Sequence, residues 1–114
     1  MARLIGKAKA IELMATGATV DADEALRLGL VSQVWDKDGF WEHVGEFAKT
    51  FCPPARASMA VGLLKRAVQT GAEISLEQGL ALERELQQRL FESADAKEGI
   101  GAYVEKRKPS FAGR

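Results

Sequence analysis

Few residues of this 114-residue chain could do chemistry: Glu12, Glu24, Glu83 and Glu98 as acids or bases, His43 as a proton carrier, Cys52 as a nucleophile, and Lys106-Arg107-Lys108 as an anion contact. General acid–base catalysis needs a carboxylate or imidazole within hydrogen-bond reach of its target, with a pKa tuned to the task. Each of the four glutamates sits on a stretch that reads as helix, among charged or polar neighbours, so each reads as a solvated or capping carboxylate. His43 has no identifiable partner and reads as a surface or packing residue. Cys52 lies nine residues after His43 and is the only cysteine. It can form no internal disulfide, which fits a reducing compartment, and it reads as a small apolar residue near a helix end. No spacing of His, Cys, Asp and Glu suggests a metal site.

Sixteen Lys and Arg balance sixteen Asp and Glu. A neutral chain gives no reason to expect a polyanion, and three basic residues without a recognised motif are too few for a nucleic-acid contact. The 46% hydrophobic and 28% charged composition is that of an ordinary soluble globular protein. No apolar run approaches the ~20 residues of a membrane-spanning helix, and the start Met1-Ala2-Arg3-Leu4-Ile5-Gly6 has no signal-peptide core. The expectation is a cytoplasmic protein, or an organellar one, without a membrane partner. The length suits a single domain over residues 1–114.

The elements that must position these residues are mostly helices. Leu4 to Thr16 reads as the first, with Leu4, Ala8, Ile11 and Ala15 on one face and Gly17 as its stop. Asp21 reads as the N-cap of a short helix from Ala22 to Leu28, with Glu24 three residues on as in a capping box. Leu30 to Trp35 is the one strand candidate, about residues 30–35. Phe40 to Phe51 reads as a helix ended by Pro53-Pro54, and Arg56 to Thr70 as another closed by Gly71. Ser75 with Gln78 opens the longest helix, which runs to Glu92 with an apolar face from Leu76 to Phe91. Ser93 caps the last, Ala94 to Lys106, with Asp95 in its first turn and the basic triplet at its end, both favourable to the helix dipole.

Three segments in order resemble the enoyl-CoA hydratase/isomerase (crotonase) family. They are Gly6-Lys7-Ala8-Lys9-Ala10-Ile11-Glu12-Leu13, then Asp21 through Gly29-Leu30-Val31, and finally Ala96-Lys97-Glu98-Gly99 through Ala102-Tyr103-Val104-Glu105-Lys106-Arg107-Lys108-Pro109 and Phe111. Together they span nearly the whole chain and match the C-terminal portion of the family. Much of each segment is a cap, a stop or a packing position, so the match speaks for ancestry and fold before activity.

The resemblance implies a mainly α chain, the C-terminal helical region of a crotonase-type α/β fold with one short strand. It implies an acyl-CoA thioester as substrate, with coenzyme A entering as part of that substrate and no covalently bound cofactor. Members hold the thioester carbonyl between two backbone N–H donors and move protons with carboxylates. In the family those groups precede the segment matching Leu4-Ile5-Gly6-Lys7, so no catalytic residue carries over and the chain is not expected to be catalytic alone. Lys106 matches a lysine that lies near the CoA phosphates or adenine; the alternative is that it only complements the helix terminus. Phe91 matches an aromatic position that could line the adenine or acyl pocket, or pack in the core. One turn earlier, where some relatives carry a further aromatic, this chain has Gln87. The family also implies a homo-oligomer, a trimer or hexamer, whereas a stand-alone helical oligomerisation module without CoA binding fits the same helices.

Overall fold

The computed structural model describes residues 1–114 and contains seven helices. The chain divides into two compact units, Met1–His43 and Val44–Arg114.

The first unit begins with two helices where the periodicity suggested one. α1 (Ala2–Ile5) ends at Gly6, whose φ of 81° and ψ of 158° break the ladder, and α2 (Lys7–Thr16) starts directly after it. α2 closes on Gly17, whose N–H donates to the Leu13 carbonyl. α3 (Ala22–Arg27) is capped by Asp21, which accepts from the Glu24 N–H at 2.8 Å. The reciprocal half of the expected capping box is absent. The Glu24 carboxylate turns to Arg27 instead, taking two bonds of 2.6 Å from its guanidinium. That bidentate, charge-assisted pair competes successfully with a single bond to a backbone amide.

The strand expected over residues 30–35 does not form. The N–H groups of Leu30 and Val31 turn back to the Ala25 carbonyl, at 2.9 and 3.4 Å, and prolong the end of α3. Residues 33–36 are irregular. A strand is a property of a pair, and no segment of the chain forms a ladder with this one.

α4 (Phe40–Lys49) crosses from the first unit into the second. At its start Phe40 meets both Trp35 and Trp41 edge to face, with ring centroids 6.1 and 5.3 Å apart. In the second unit α5 (Ser58–Gly71) and α6 (Leu76–Phe91) form an antiparallel hairpin, and α7 (Ala94–Val104) packs on α6. Gly71 is the last residue of α5, not the stop beyond it; Ala72 caps the helix. The Ser75–Gln78 capping box of α6 is complete, each side chain bonded to the other residue's backbone N–H at 3.2 Å. Ser93 caps α7 as expected: its hydroxyl accepts from the Ala96 N–H and donates to the Leu90 carbonyl, tying the end of α6 to the start of α7.

The buried apolar core is small: Ala10, Leu13, Leu86 and Ala102. The predicted apolar face of the first helix lies outward, with Leu4 65% and Ile11 67% exposed. A compact monomer of this mass exposes about 6,100 Å², and two separate units together about 7,300 Å². This chain exposes 9043 Å². Large apolar side chains are therefore uncovered on both units.

Candidate functional site

The most heavily bonded part of the molecule is α7 with the tail that follows it. Asp95 lies in the first turn of α7 and is 4% exposed. Its carboxylate accepts three backbone N–H groups: Ala112 at 2.7 Å, Gly113 at 2.8 Å and Arg114 at 3.2 Å. Its own N–H donates to the Arg114 carbonyl at 2.9 Å. The sequence suggested only a dipole role for this residue. In the structure it grips the end of the chain, and no local spacing signals a partner 17 to 19 residues away. Two further contacts seat the tail: the Phe111 N–H donates to the Pro54 carbonyl, and the Phe111 ring lies against Gly99.

The other end of α7 carries Lys106. Glu105 caps the helix, and Lys106 follows with φ of +54°, the only residue other than glycine in the left-handed region. The Lys106 N–H donates to the Tyr103 carbonyl at 3.2 Å and the Arg107 N–H to the Ala102 carbonyl at 3.0 Å. These two bonds make a Schellman motif, in which the position of Lys106 is normally glycine. A side chain there costs about 1 kcal/mol. Lys106 is exposed, and its ammonium joins none of the molecule's ion pairs.

The cation next to it is fully engaged. The Arg107 guanidinium donates to both oxygens of Glu98, at 2.6 and 2.9 Å, and through Nε to Glu105 at 2.6 Å. Glu98 also accepts the Ser110 N–H at 2.9 Å. Arg107 first, then the Ser110 amide, hold the Glu98 carboxyl down at about 2, and hydrogen bonds to Glu98 first, then to Glu105, raise Arg107 above its ordinary value. Glu98 is thus a structural anion fixed by its partners, not a proton carrier near neutral pH.

The remaining candidates stay apart from this cluster. Glu12 is exposed and pairs with Lys9 at 2.8 Å, within one turn of α2. Glu24 is held down by Arg27, chiefly through their hydrogen bonds. Glu83 is exposed and borders the grooves between α5 and α6. His43 is exposed; so is Cys52, beyond the end of α4, with its thiol 3.6 Å from the Ala48 carbonyl.

Phe91, the last residue of α6, is 62% exposed and so is not a core residue of this chain. It adjoins the start of α7, whereas Lys106 lies past its far end; a helix of 11 residues separates them by about 16 Å. Only an extended ligand could touch both. The α5–α6 hairpin presents a separate open groove of about 430 Å³, lined by Leu64, Val68, Leu76 and Leu80 among others.

Helix order, the capped starts of α6 and α7 and the basic end of α7 lie where the resemblance to the C-terminal helical part of the crotonase family implies them. Comparison with known proteins agrees. The enoyl-CoA hydratase/isomerase family model matches residues 1–114. The probable enoyl-CoA hydratase of Rhizobium meliloti is 44% identical over 117 residues, and that of Mycobacterium tuberculosis 41% over 114; each comparison covers 100% of this chain and 44% of the relative. The crystal structure of an enoyl-CoA hydratase from Geobacillus kaustophilus superposes with a TM-score of 0.92 at 40% identity, over 99% of this chain and 42% of that one. The chain belongs to the enoyl-CoA hydratase/isomerase family, and it spans less than half the length of these relatives.

Proposed function

We propose that this chain is the C-terminal part of an enoyl-CoA hydratase/isomerase-like protein acting on acyl-CoA thioesters, where it completes the acyl-CoA site and the assembly. It supplies no acid, base or oxyanion donor; those come from the other half of the fold, on the same polypeptide or another. Lys106 sits near the phosphates or adenine of coenzyme A, and Phe91 lines the adenine or acyl pocket. A cation beside a phosphate gains a charge-assisted bond, and the exposed, unpaired ammonium is available for one. The intact protein is a homo-oligomer, a trimer or hexamer, and residues 1–114 act within it as one region.

The observation that carries this reading is the uncovered surface. A family member that exposes 9043 Å² around four buried apolar residues has helix faces suited to further protein. One observation favours a second reading: the apolar groove along α5 and α6 would also serve a stand-alone oligomerisation module without CoA binding.

Activity assay and calorimetry separate the two. The pure chain is expected not to hydrate crotonyl-CoA; turnover proportional to its concentration would overturn the proposal. Mixed with the N-terminal half of a relative, the chain should bind coenzyme A, and Lys106→Ala should weaken binding about tenfold. Absence of CoA binding in the assembled mixture favours the module.

A further inference from the structure

The Lys106 backbone is held in a conformation that its residue type disfavours, and the restraints holding it are visible. Glu98 and Arg107 are nine residues apart, on opposite sides of the helix terminus. Their side chains can meet only if the chain reverses along α7, and the reversal takes place at Lys106, where φ is +54°. The bidentate geometry fixes the direction of Arg107 as well as its distance, because each of its two terminal guanidinium nitrogens must reach its own carboxylate oxygen. The Ser110 N–H, bonded to the same carboxylate, holds the chain beyond the turn. The pair is 44% and 26% exposed, so water screens it, and its contribution to stability is correspondingly modest. Its geometric effect is not screened. It also keeps Arg107 from competing with Lys106 for an anion.

We propose that the Glu98–Arg107 pair is a positioning device that keeps Lys106 left-handed and presents its ammonium, alone among the basic triplet's first two cations, to the phosphates of coenzyme A. The inference rests on the reading of Lys106 as a phosphate contact. Neither Glu98 nor Arg107 touches the ligand; both act through the backbone of the residue between them.

The test is solution NMR on the isotope-labelled full chain, comparing wild type, Glu98→Gln, Lys106→Ala, their double variant, and the charge-reversed pair Glu98→Arg with Arg107→Glu. The strong intraresidue HN–Hα cross-peak of a left-handed residue reports the backbone at position 106. Coenzyme A is added to millimolar concentration, where a single lysine contact registers as shift changes without the rest of the site. Glu98→Gln should remove the left-handed signature and speed exchange of the Arg107 and Ser110 amides about tenfold, while amides of α6 stay protected. It should reduce the CoA-induced shifts at the end of α7 as far as Lys106→Ala does, with no further loss in the double variant. The reversed pair should restore both the signature and the response. A left-handed residue 106 in Glu98→Gln overturns the inference, and so does an undiminished CoA response in that variant. If coenzyme A leaves wild-type Lys106 unperturbed while Glu98→Gln still releases the turn, the phosphate contact fails and the backbone restraint stands.

Discussion

The two units hold their helices by different means. In Met1–His43 two ion pairs, Lys9–Glu12 and Glu24–Arg27, each span three residues, and the buried apolar residues are Ala10 and Leu13. Such pairs support the helix that contains them and say nothing about where it goes. In Val44–Arg114 the bonds around α7 reach across 9 to 19 residues, from Arg107 and Ser110 to Glu98 and from the last three amides to Asp95. These do fix tertiary structure. A segment with long-range polar bonds can hold its place without a large core, whereas a local pair does not place the helix that carries it, and Leu4 and Ile11 of the first unit face outward.

The comparison can be broken most directly at Asp95. Asp95→Ala leaves three backbone donors without their acceptor and should cost about 3 kcal/mol. Urea unfolding followed by circular dichroism should show the loss, with rapid exchange of the Ala112 and Gly113 amides. An unchanged midpoint would mean that the tail is not a tertiary element. Gly113→Ala attacks the same lock sterically. With φ of +82° and a new Cβ 2.6 Å from the Ser58 hydroxyl, it should cost about 2 kcal/mol by the same measurement. Lys106→Gly works in the opposite direction. Relief of the left-handed side chain should stabilise the fold by about 1 kcal/mol while removing the ammonium. A variant that gains stability and loses CoA binding in the assembled protein would separate the two roles of that position.

The smallest effect sharpens the comparison by pH. The folded-state pKa of Glu98 lies at about 2, below its unfolded value near 4.5. A group depressed in this way contributes stability that is present above the unfolded pKa and disappears as pH falls through the folded one. Protection of the Ser110 amide, taken relative to its free-peptide exchange rate at each pH, should therefore persist down to about pH 4 and fall toward pH 2, and Glu98→Gln should abolish that dependence. Glu24 and Glu46 are also lowered, by Arg27 and Lys49. Because their pairs are local, acid should fray only the turns that hold them.

What the sequence disclosed divides along the same line. The caps at Asp21, Ser75 and Ser93 and the stop at Gly17 are local chemistry, and all are present in the structure. The family and its mainly helical fold were likewise legible, because the segments from Gly6 to Phe111 carry capped helices in a fixed order. The absence of the strand expected at residues 30–35 was not, since β-branched residues describe a strand's surface and not its partner. Nor was the outward turn of Leu4 and Ile11, because periodicity names a face without saying what covers it. Asp95 and Glu98 looked like ordinary helical carboxylates. Their partners lie beyond any helical spacing, so only the folded chain reveals them.

The grip of Asp95 on Ala112, Gly113 and Arg114 has a practical corollary. Proteolysis between Phe111 and Ala112 would strip the carboxylate of every backbone donor it holds. The rate at which a protease cuts beside Ala112 becomes a gauge of how firmly the latch is shut.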